Sequence, residues 1–586
     1  MTSQTRAMSL VARTALILAG LLPAIAGAAP PPAPSHQDPR WLFEHGIPLE
    51  RVEDPPVAPF VSPLGTTGAT RAASTIPFGR FTIIQVNVNG VGADIVGDAA
   101  NEPSLVVNPS NHSRMVIGWR QFDTIASNFR QAGFGYTTNA GATWTTGKIQ
   151  PGVFRSDPVL DTDGSGIFYN SLGNSGGLHE DIFRSNDGGA TWGPAVPAFG
   201  GDKQWMAVDR GIGHLYQAWS IAGNAYGTLT FDKSVDDGNN FQSPTEIPDQ
   251  PIWGTLDVGL DHTLYVAGWG TAAGSFTGEF RVARSTNVAF QPSDPASFTS
   301  TTGDLGGFLR TGPPNGGGLL GQAGIAVDRS STPRFGWVYV LSSVQTPTDP
   351  LDVNFIRSMD NGQTWTAPVR VNDDPAGDHA FQWFGTMSVS PSGRIDAVWN
   401  DTRGSADSTV SAVYYSYSTN GGANWSPNEQ VTPTWNSTVG YPNQSKIGDY
   451  YDMTSDDAGA DLAFAATFNG GEDIYYVRIP NAAVPTGVGD HVALRPRRLE
   501  SFPNPFREAT TIRFDAPRES ARVRLEVFDL SGRRVATLVD GFRMGSGLTA
   551  TWDGRREDGS EAPPSVYLCR LQAGGVTETR RLLRVR

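Results

Sequence analysis

The sequence predicts an all-β chain in which a seven-bladed β-propeller precedes a small β-sandwich, and three observations predict it. An eight-residue turn recurs: Ser358-Met359-Asp360-Asn361-Gly362-Gln363-Thr364-Trp365 has close copies at 185–192, 137–144 and 418–425 and a weaker one at 234–241. Short apolar strands recur ahead of each copy. The composition, with 68 Gly, 42 Pro, 15 Trp and 29 Phe, is that of a turn-rich, aromatic-rich β protein. At 586 residues the chain exceeds one ordinary domain, so two or more are expected.

Each turn has a physical reading. A carboxylate or amide caps the backbone N–H groups of a tight hairpin, Gly two residues on supplies the positive φ, and the closing aromatic packs back across the hairpin. The motif is a staple of the fold, because function is argued from a site and not from a scaffold.

The chain opens with Arg6 and Arg13 ahead of an apolar run, Ala15 to Ile25, and a small-residue stretch, Ala26-Gly27-Ala28. That is the pattern of a bacterial signal peptide over 1–28, too short and wrongly flanked for a retained span. Residues 29–80 are rich in Pro and small residues and read as a leader with short local structure. The first credible strand is Phe81 to Val88. From there to 480 a unit repeats, opening on strands such as Pro103–Val107, Pro158–Leu160, Trp205–Val208, Leu256–Val258, Ala323–Val327, Thr386–Val389 and Tyr450–Met453. About seven units result, each the length of a four-stranded blade, with six blades the alternative if the first or last unit stands apart. The last unit lacks the boxed strand, so 81–88 is the expected partner that closes the ring.

Residues 481–498 read as a linker, and 499–586 alternate apolar and polar between turn residues as a small sandwich does. This final stretch has many Arg and no Lys, while the rest carries nearly all of the net charge of -14.

Two resemblances add to this. The repeated turns, with Trp205-Met206-Ala207-Val208-Asp209 and Trp399-Asn400-Asp401-Thr402-Arg403, resemble the BNR or Asp-box propellers of the sialidase superfamily over about 81–480. Asn504-Pro505-Phe506, Asp529-Leu530-Ser531-Gly532-Arg533 and Trp552-Asp553-Gly554 resemble the C-terminal sorting domain of the type IX secretion route, similar to the Ig-like domain of flagellar hook-capping proteins. The second resemblance implies passage across an outer membrane, contact with secretion machinery, and a secreted or cell-surface location. Sialidases hold a substrate carboxylate with three Arg and use a Tyr nucleophile beside a Glu, with an Asp as acid, and they carry Arg-Ile-Pro in the first blade. Here that place reads Asn101-Glu102-Pro103, and Arg478-Ile479-Pro480 lies at the end of the last strand, so the Arg triad does not carry over.

Ligands of propellers sit where the inner strands begin, which makes the polar residues opening each unit the binding candidates: Glu102, Asp202, Lys203, Trp205, Gln382, Trp383 and Asp449, with Arg120, Arg155 and Arg403 nearby in sequence. Aromatics can stack on sugar faces while carboxylates and amides take hydroxyls. If catalysis occurs, Asp157 is the acid, Tyr450 the nucleophile and Glu472 its base.

Other signals point to scaffold. Trp119, Trp219, Trp269 and Trp399 occupy equivalent positions and suit packing between blades. Asp161 to Gly166 starts like a calcium loop, yet 172 is Leu where an EF-hand needs Glu, so a turn is expected. The His residues show no metal-ligand spacing, no cofactor motif occurs, and the acidic balance argues against nucleic acid. No segment after the signal is apolar enough to span a bilayer. The expectation is an exported recognition module for a glycan or protein; the alternative is a sialidase-like glycoside hydrolase with a rearranged site.

Overall fold

The computed structural model describes residues 70–221, 223–272, 275–289, 296–481, 499–514, 521–529, 533–543, 548–573 and 576–585. The expected signal peptide, most of the leader and the linker lie outside them. Two compact units divide the chain, at 482/483. Every regular element among the described residues is a strand. No helix there is long and apolar enough to cross a membrane.

In the first unit six antiparallel sheets follow one another, each built from strands consecutive in sequence. Their inner strands are Ala99–Val107, Ser156–Thr162, Trp205–Asp209, Leu256–Val258, Gly324–Val327 and Gln382–Val389. The seventh sheet starts at Asp452–Asp456 and continues through Gly459–Ala466 and Asp473–Pro480. It then takes two strands from the front of the chain, Phe81–Gln85 and Thr75–Phe78. Ile83 pairs with Val477 and Gln85 with Tyr475, so the early strand covers what would be a bare edge. Each inner strand lies against the inner strand of the next sheet, and the seventh lies against the first. Such four-stranded sheets fit a propeller.

Side chains tie successive inner strands together. The Ser104 hydroxyl accepts Leu160 N–H at 2.9 Å, Asp161 accepts Val208 N–H at 2.7 Å, and Asp257 accepts Val327 N–H at 2.8 Å. Ser388 accepts Ser455 N–H, and Asp452 accepts Leu105 N–H, which carries the series past the join. These bonds pair inner-strand amides that face the narrow centre.

The recurrent turn has one geometry. In 358–365 the Ser358 hydroxyl donates to Asp360 Oδ1 and accepts Gly362 N–H, Asp360 accepts the N–H and hydroxyl of Thr364, and Gly362 has φ 78°. Ser185/Asp187, Ser234/Asp236 and Ser418/Asn420 repeat it. The closing aromatic differs from expectation, since it reaches the preceding sheet and not only its own hairpin. Trp144 meets Tyr476 edge-on at 5.6 Å, Trp192 meets Phe134, and Trp425 meets Phe355. The physical reason is shape: a wedge-like sheet leaves a gap toward its neighbour at the rim, and an indole fills it.

The second unit has two antiparallel sheets around one core. Leu499–Phe502, Thr510–Phe514 and Leu548–Trp552 form one, and Arg534–Arg543, Ala521–Phe528, Ser565–Ala573 and Val576–Arg584 the other. Their alternating apolar residues, Ile512, Val523, Leu525, Val527, Trp552 and Leu571 among them, share the interior. Asn504 fastens the entry of the chain to the closing strand, donating to the Arg581 carbonyl and accepting Leu583 N–H.

Candidate functional site at the channel mouth

The heads of the inner strands are strained and charged. Glu102, Asp157, Lys203, Trp253 and Phe384 have φ of 51°, 41°, 57°, 53° and 59°, and Gly448 stands at the corresponding place in the seventh sheet. A non-glycine residue in this region costs about 1–3 kcal/mol. Register shifts at Asn101/Ser104 and Trp383/Thr386 mark the bulges that allow it. Here Glu102, Asp157 and Lys203 are drawn toward one another.

They form a single buried network. Arg120 pairs with Glu102 at 3.1 Å and approaches Asp157 at 3.7 Å. Lys203 lies 3.7 Å from Asp157, 3.5 Å from Asp202 and 3.1 Å from Asp449. Lys446 reaches Asp449 at 2.5 Å and Glu102 at 3.5 Å. Asn101 joins Glu472 to the set, donating to Glu472 Oε1 and accepting from Arg120 Nε, both at 2.7 Å. Glu102, Arg120, Asp202 and Glu472 have no exposed surface.

Burial and pairing sort the carboxyls. Burial pushes Glu102 up to about 8 against the pull of Arg120, and Asp202 up to about 6 against Lys203. Glu472 is raised well above its ordinary range by burial, against its bond from Asn101. Asp157 is also buried, yet Lys203, Arg120 and Lys446 outweigh this and hold it at about 2. Asp449 is held below the carboxylate range by Lys446 and Lys203 despite its burial. Lys203 keeps its proton, since Asp202, Asp449 and Asp157 overcome the cost of burying it.

Most, but not all, of the sequence-derived residues come together. Glu102, Arg120, Asp157, Asp202, Lys203, Asp449 and Glu472 meet in this network. Tyr450 and Trp205 stand beside it, their rings edge-on at 5.2 Å. Because the seventh inner strand begins at Asp452, Asp449 and Tyr450 occupy the turn ahead of it. Arg155 pairs with Asp181 at 2.6 Å and lies over Phe183. Gln382 and Arg403 belong to a separate set with Asp374 and Asp401, and Arg403 covers the Tyr414 ring at 4.4 Å. Trp383 is fully buried against Phe384 and Trp435, its indole N–H donating to Ser411. Sequence reading missed Asn101, Lys446 and Asn315. Asn101 neighbours Glu102, a signal that was there to use; the other two lie in Gly- and Pro-rich connections that carry no periodicity.

Two of the three residues assigned to catalysis hold partners of their own. Tyr450 donates its hydroxyl proton to the Pro158 carbonyl at 2.8 Å, and burial, with Glu102 and Asp157 close by, raises its pKa far above normal. A Tyr nucleophile needs the opposite shift. Glu472 accepts from Asn101 through Oε1, and its Oε2 has no hydrogen-bond partner.

Two segments cover the mouth. Residues 304–323 lead to the fifth inner strand and 437–451 to the seventh. Asn315 joins them: its amide donates to the carbonyls of Leu319 and Gly448 at 2.7 Å, and its Oδ1 accepts Ile447 N–H at 2.9 Å. Asp449 Oδ1 accepts Leu319 N–H, and Ser437 donates to the Pro314 carbonyl. Below lies the channel, a cavity of about 210 Å³ whose wall includes Trp205, Asp449, Tyr450, Leu256, Ile325 and Met453.

Elsewhere, His112, Asp456 and Asp461 bring ligand atoms together, but Arg478 already pairs with both carboxylates at 2.5 and 2.7 Å. The Asp161–Gly166 segment is a turn, with Asp163 capping the N–H groups of Ser165 and Gly166. Trp119, Trp219, Trp269 and Trp399 are buried.

No protein-family model matches the chain, and no curated protein matches its sequence. Solved structures do resemble its fold. PorZ, an essential surface component of the type-IX secretion system of Porphyromonas gingivalis, is 14% identical over 81% of this chain at a TM-score of 0.36, and the chain spans 58% of that protein's length. A fungal alcohol oxidase of the AA5 family, in complex with copper, is 12% identical, with 88% and 100% of the two chains covered and a TM-score of 0.42. Trypanosoma rangeli sialidase in complex with the inhibitor DANA is 11% identical, with 88% and 89% covered and a TM-score of 0.34. These likenesses concern the course of the chain and bear on none of its site residues.

Proposed function

We propose that the chain is an exported, seven-bladed Asp-box propeller that recognises an extracellular glycan or protein at its channel mouth and carries an Ig-like C-terminal sorting domain. Support for seven blades comes from the cyclic order of the inner strands. Support for recognition rather than catalysis comes from one observation above all: the Tyr450 hydroxyl donates to the Pro158 carbonyl, and burial raises its pKa far above normal. What remains at the mouth is a set of fixed hydrogen-bonding groups beside two aromatic rings, which suits a polar ring-shaped ligand. The signal-peptide pattern and the tail motifs support export and sorting.

One observation favours the hydrolase alternative. Glu102, at about 8, keeps its proton at neutral pH as a general acid must. The deciding experiment is hydrolysis of fluorogenic sialosides and neutral glycosides by the folded protein, followed by a glycan array. Array capture without turnover is the expected result. Turnover that is lost in Glu102→Gln would overturn the recognition reading.

A further inference from the structure

The charged mouth is closed off from water, and the piece that closes it is short. Thr311 and Leu319 form a bridge, and Gly312 N–H bonds to the Gly318 carbonyl, so 312–318 is a hairpin-like tip on a narrow neck. The neck is anchored by Leu309, Leu319 and Leu320, all buried. The tip itself is Gly312-Pro313-Pro314-Asn315-Gly316-Gly317-Gly318 and offers the core no large apolar side chain. What holds it down is polar: Asn315 to Gly448 and Ile447, and Ser437 to Pro314.

The contact is also too close for any residue but glycine. A Cβ on Gly316 would meet the Ser445 carbonyl oxygen at 1.9 Å, and one on Gly448 would meet Glu102 Cγ at 2.7 Å. The segment pressed beneath the tip carries Lys446 and Asp449, two of the charges of the network. Keeping Lys446 and Asp449 dry is costly, and both oxygens of the buried Glu102 lack a hydrogen-bonded partner. Raising the tip would hydrate these groups at the cost of the few polar bonds that hold it down.

We propose that the 312–318 tip is a lid pinned by Asn315, and that it lifts from 445–449 to admit ligand to the mouth. The ligand part rests on the recognition reading; the lid itself does not. Its motion is hinged at Thr311 and Leu319, where the apolar anchors begin.

Amide hydrogen exchange of the full chain tests it, with Leu319 and Ile447 as reporters because their N–H groups bond to Asp449 and Asn315 across the contact. In the wild type both should exchange through an opening that leaves 459–466 protected. Asn315→Ala should speed both by about tenfold or more while 459–466 stays unchanged. Gly316→Ala, which wedges the contact open, should do the same, so a folding failure of one variant leaves the other decisive. Reporters that exchange only with 459–466 in the wild type, or that do not respond to either substitution, overturn the lid. A glycan array run beside it should show stronger capture by Asn315→Ala. A blank array with accelerated reporters would remove the recognition reading and leave the lid standing.

Discussion

Lys203 sets its ammonium 3.1 Å from the Asp449 carboxylate, joining the head of the third sheet to that of the seventh across the mouth. Neither group is reached easily by water, so the pair ties the network's two halves with little screening. Breaking a buried pair from one side costs about 3–5 kcal/mol, because the survivor is stranded. Asp449→Asn and Lys203→Met should each lower the unfolding free energy measured in urea by that order. The double variant should lose less than the sum, and strict additivity would show that the two charges act separately.

Tyr450→Phe should cost about 1–3 kcal/mol, the penalty for leaving the Pro158 carbonyl unpaired, with the ring still against Trp205. Equilibrium unfolding measures it. A Tyr450→Phe protein as stable as the wild type would mean that the hydroxyl is free for other work, which would reopen the nucleophile assignment.

How far this site was legible follows from those same residues. The inner-strand heads could be read from the repeat, and Glu102, Asp157, Lys203 and Asp449 do converge. Sequence order does not give radial position, however, and Gln382 and Arg403 join their own network at the sixth sheet. Lys446 and Asn315 were invisible because a connection of Gly, Pro, Asn and Ser reads as spacer until another such connection is laid over it. The turns were legible as turns. That Trp144 reaches Tyr476 was not, since contact between sheets leaves no period in the sequence.

Trp144→Ala should cost about 3–5 kcal/mol, as for other buried large aromatics. The loss falls on the join between the first and seventh sheets, so exchange protection of 473–480 should drop more than that of 338–344. Equal loss in both places would show that the indole stabilises the unit as a whole.

The pH profile should have two limbs. Glu102 and Asp98 are raised to about 8, Asp452 to about 7, and Asp202 and Asp473 to about 6, burial being the first cause in each. The native state therefore holds protons that the unfolded chain has released, and stability falls as pH rises from about 4 toward 8. Asp360 is the opposite case, lowered to about 2 by its bonds from Thr364. Its contribution is present above about pH 4 and is lost as pH falls toward 2. Urea midpoints should peak in mildly acidic buffer; a midpoint that climbs from pH 6 to 8.5 would contradict the burial of these carboxyls.

Ile83→Ala should destabilise by about 2–5 kcal/mol, since Ile83 is fully buried where the early strand meets Val477. Removing 70–85 altogether should bare the edge of 473–480 and yield aggregates on size exclusion. A monodisperse truncated protein would show that another segment can take that place.

The pairing of the front strand with the last sheet also sets a timetable. Asn87 donates to Asp473 across 386 residues of chain, so the early pair of strands at 75–85 has no sheet to join until almost the whole first unit has been made. At about 5–20 residues per second that wait lasts tens of seconds, during which the unfinished molecule is an open stack of sheets. The first unit is thereby kept from completing its last sheet until its own synthesis is nearly over.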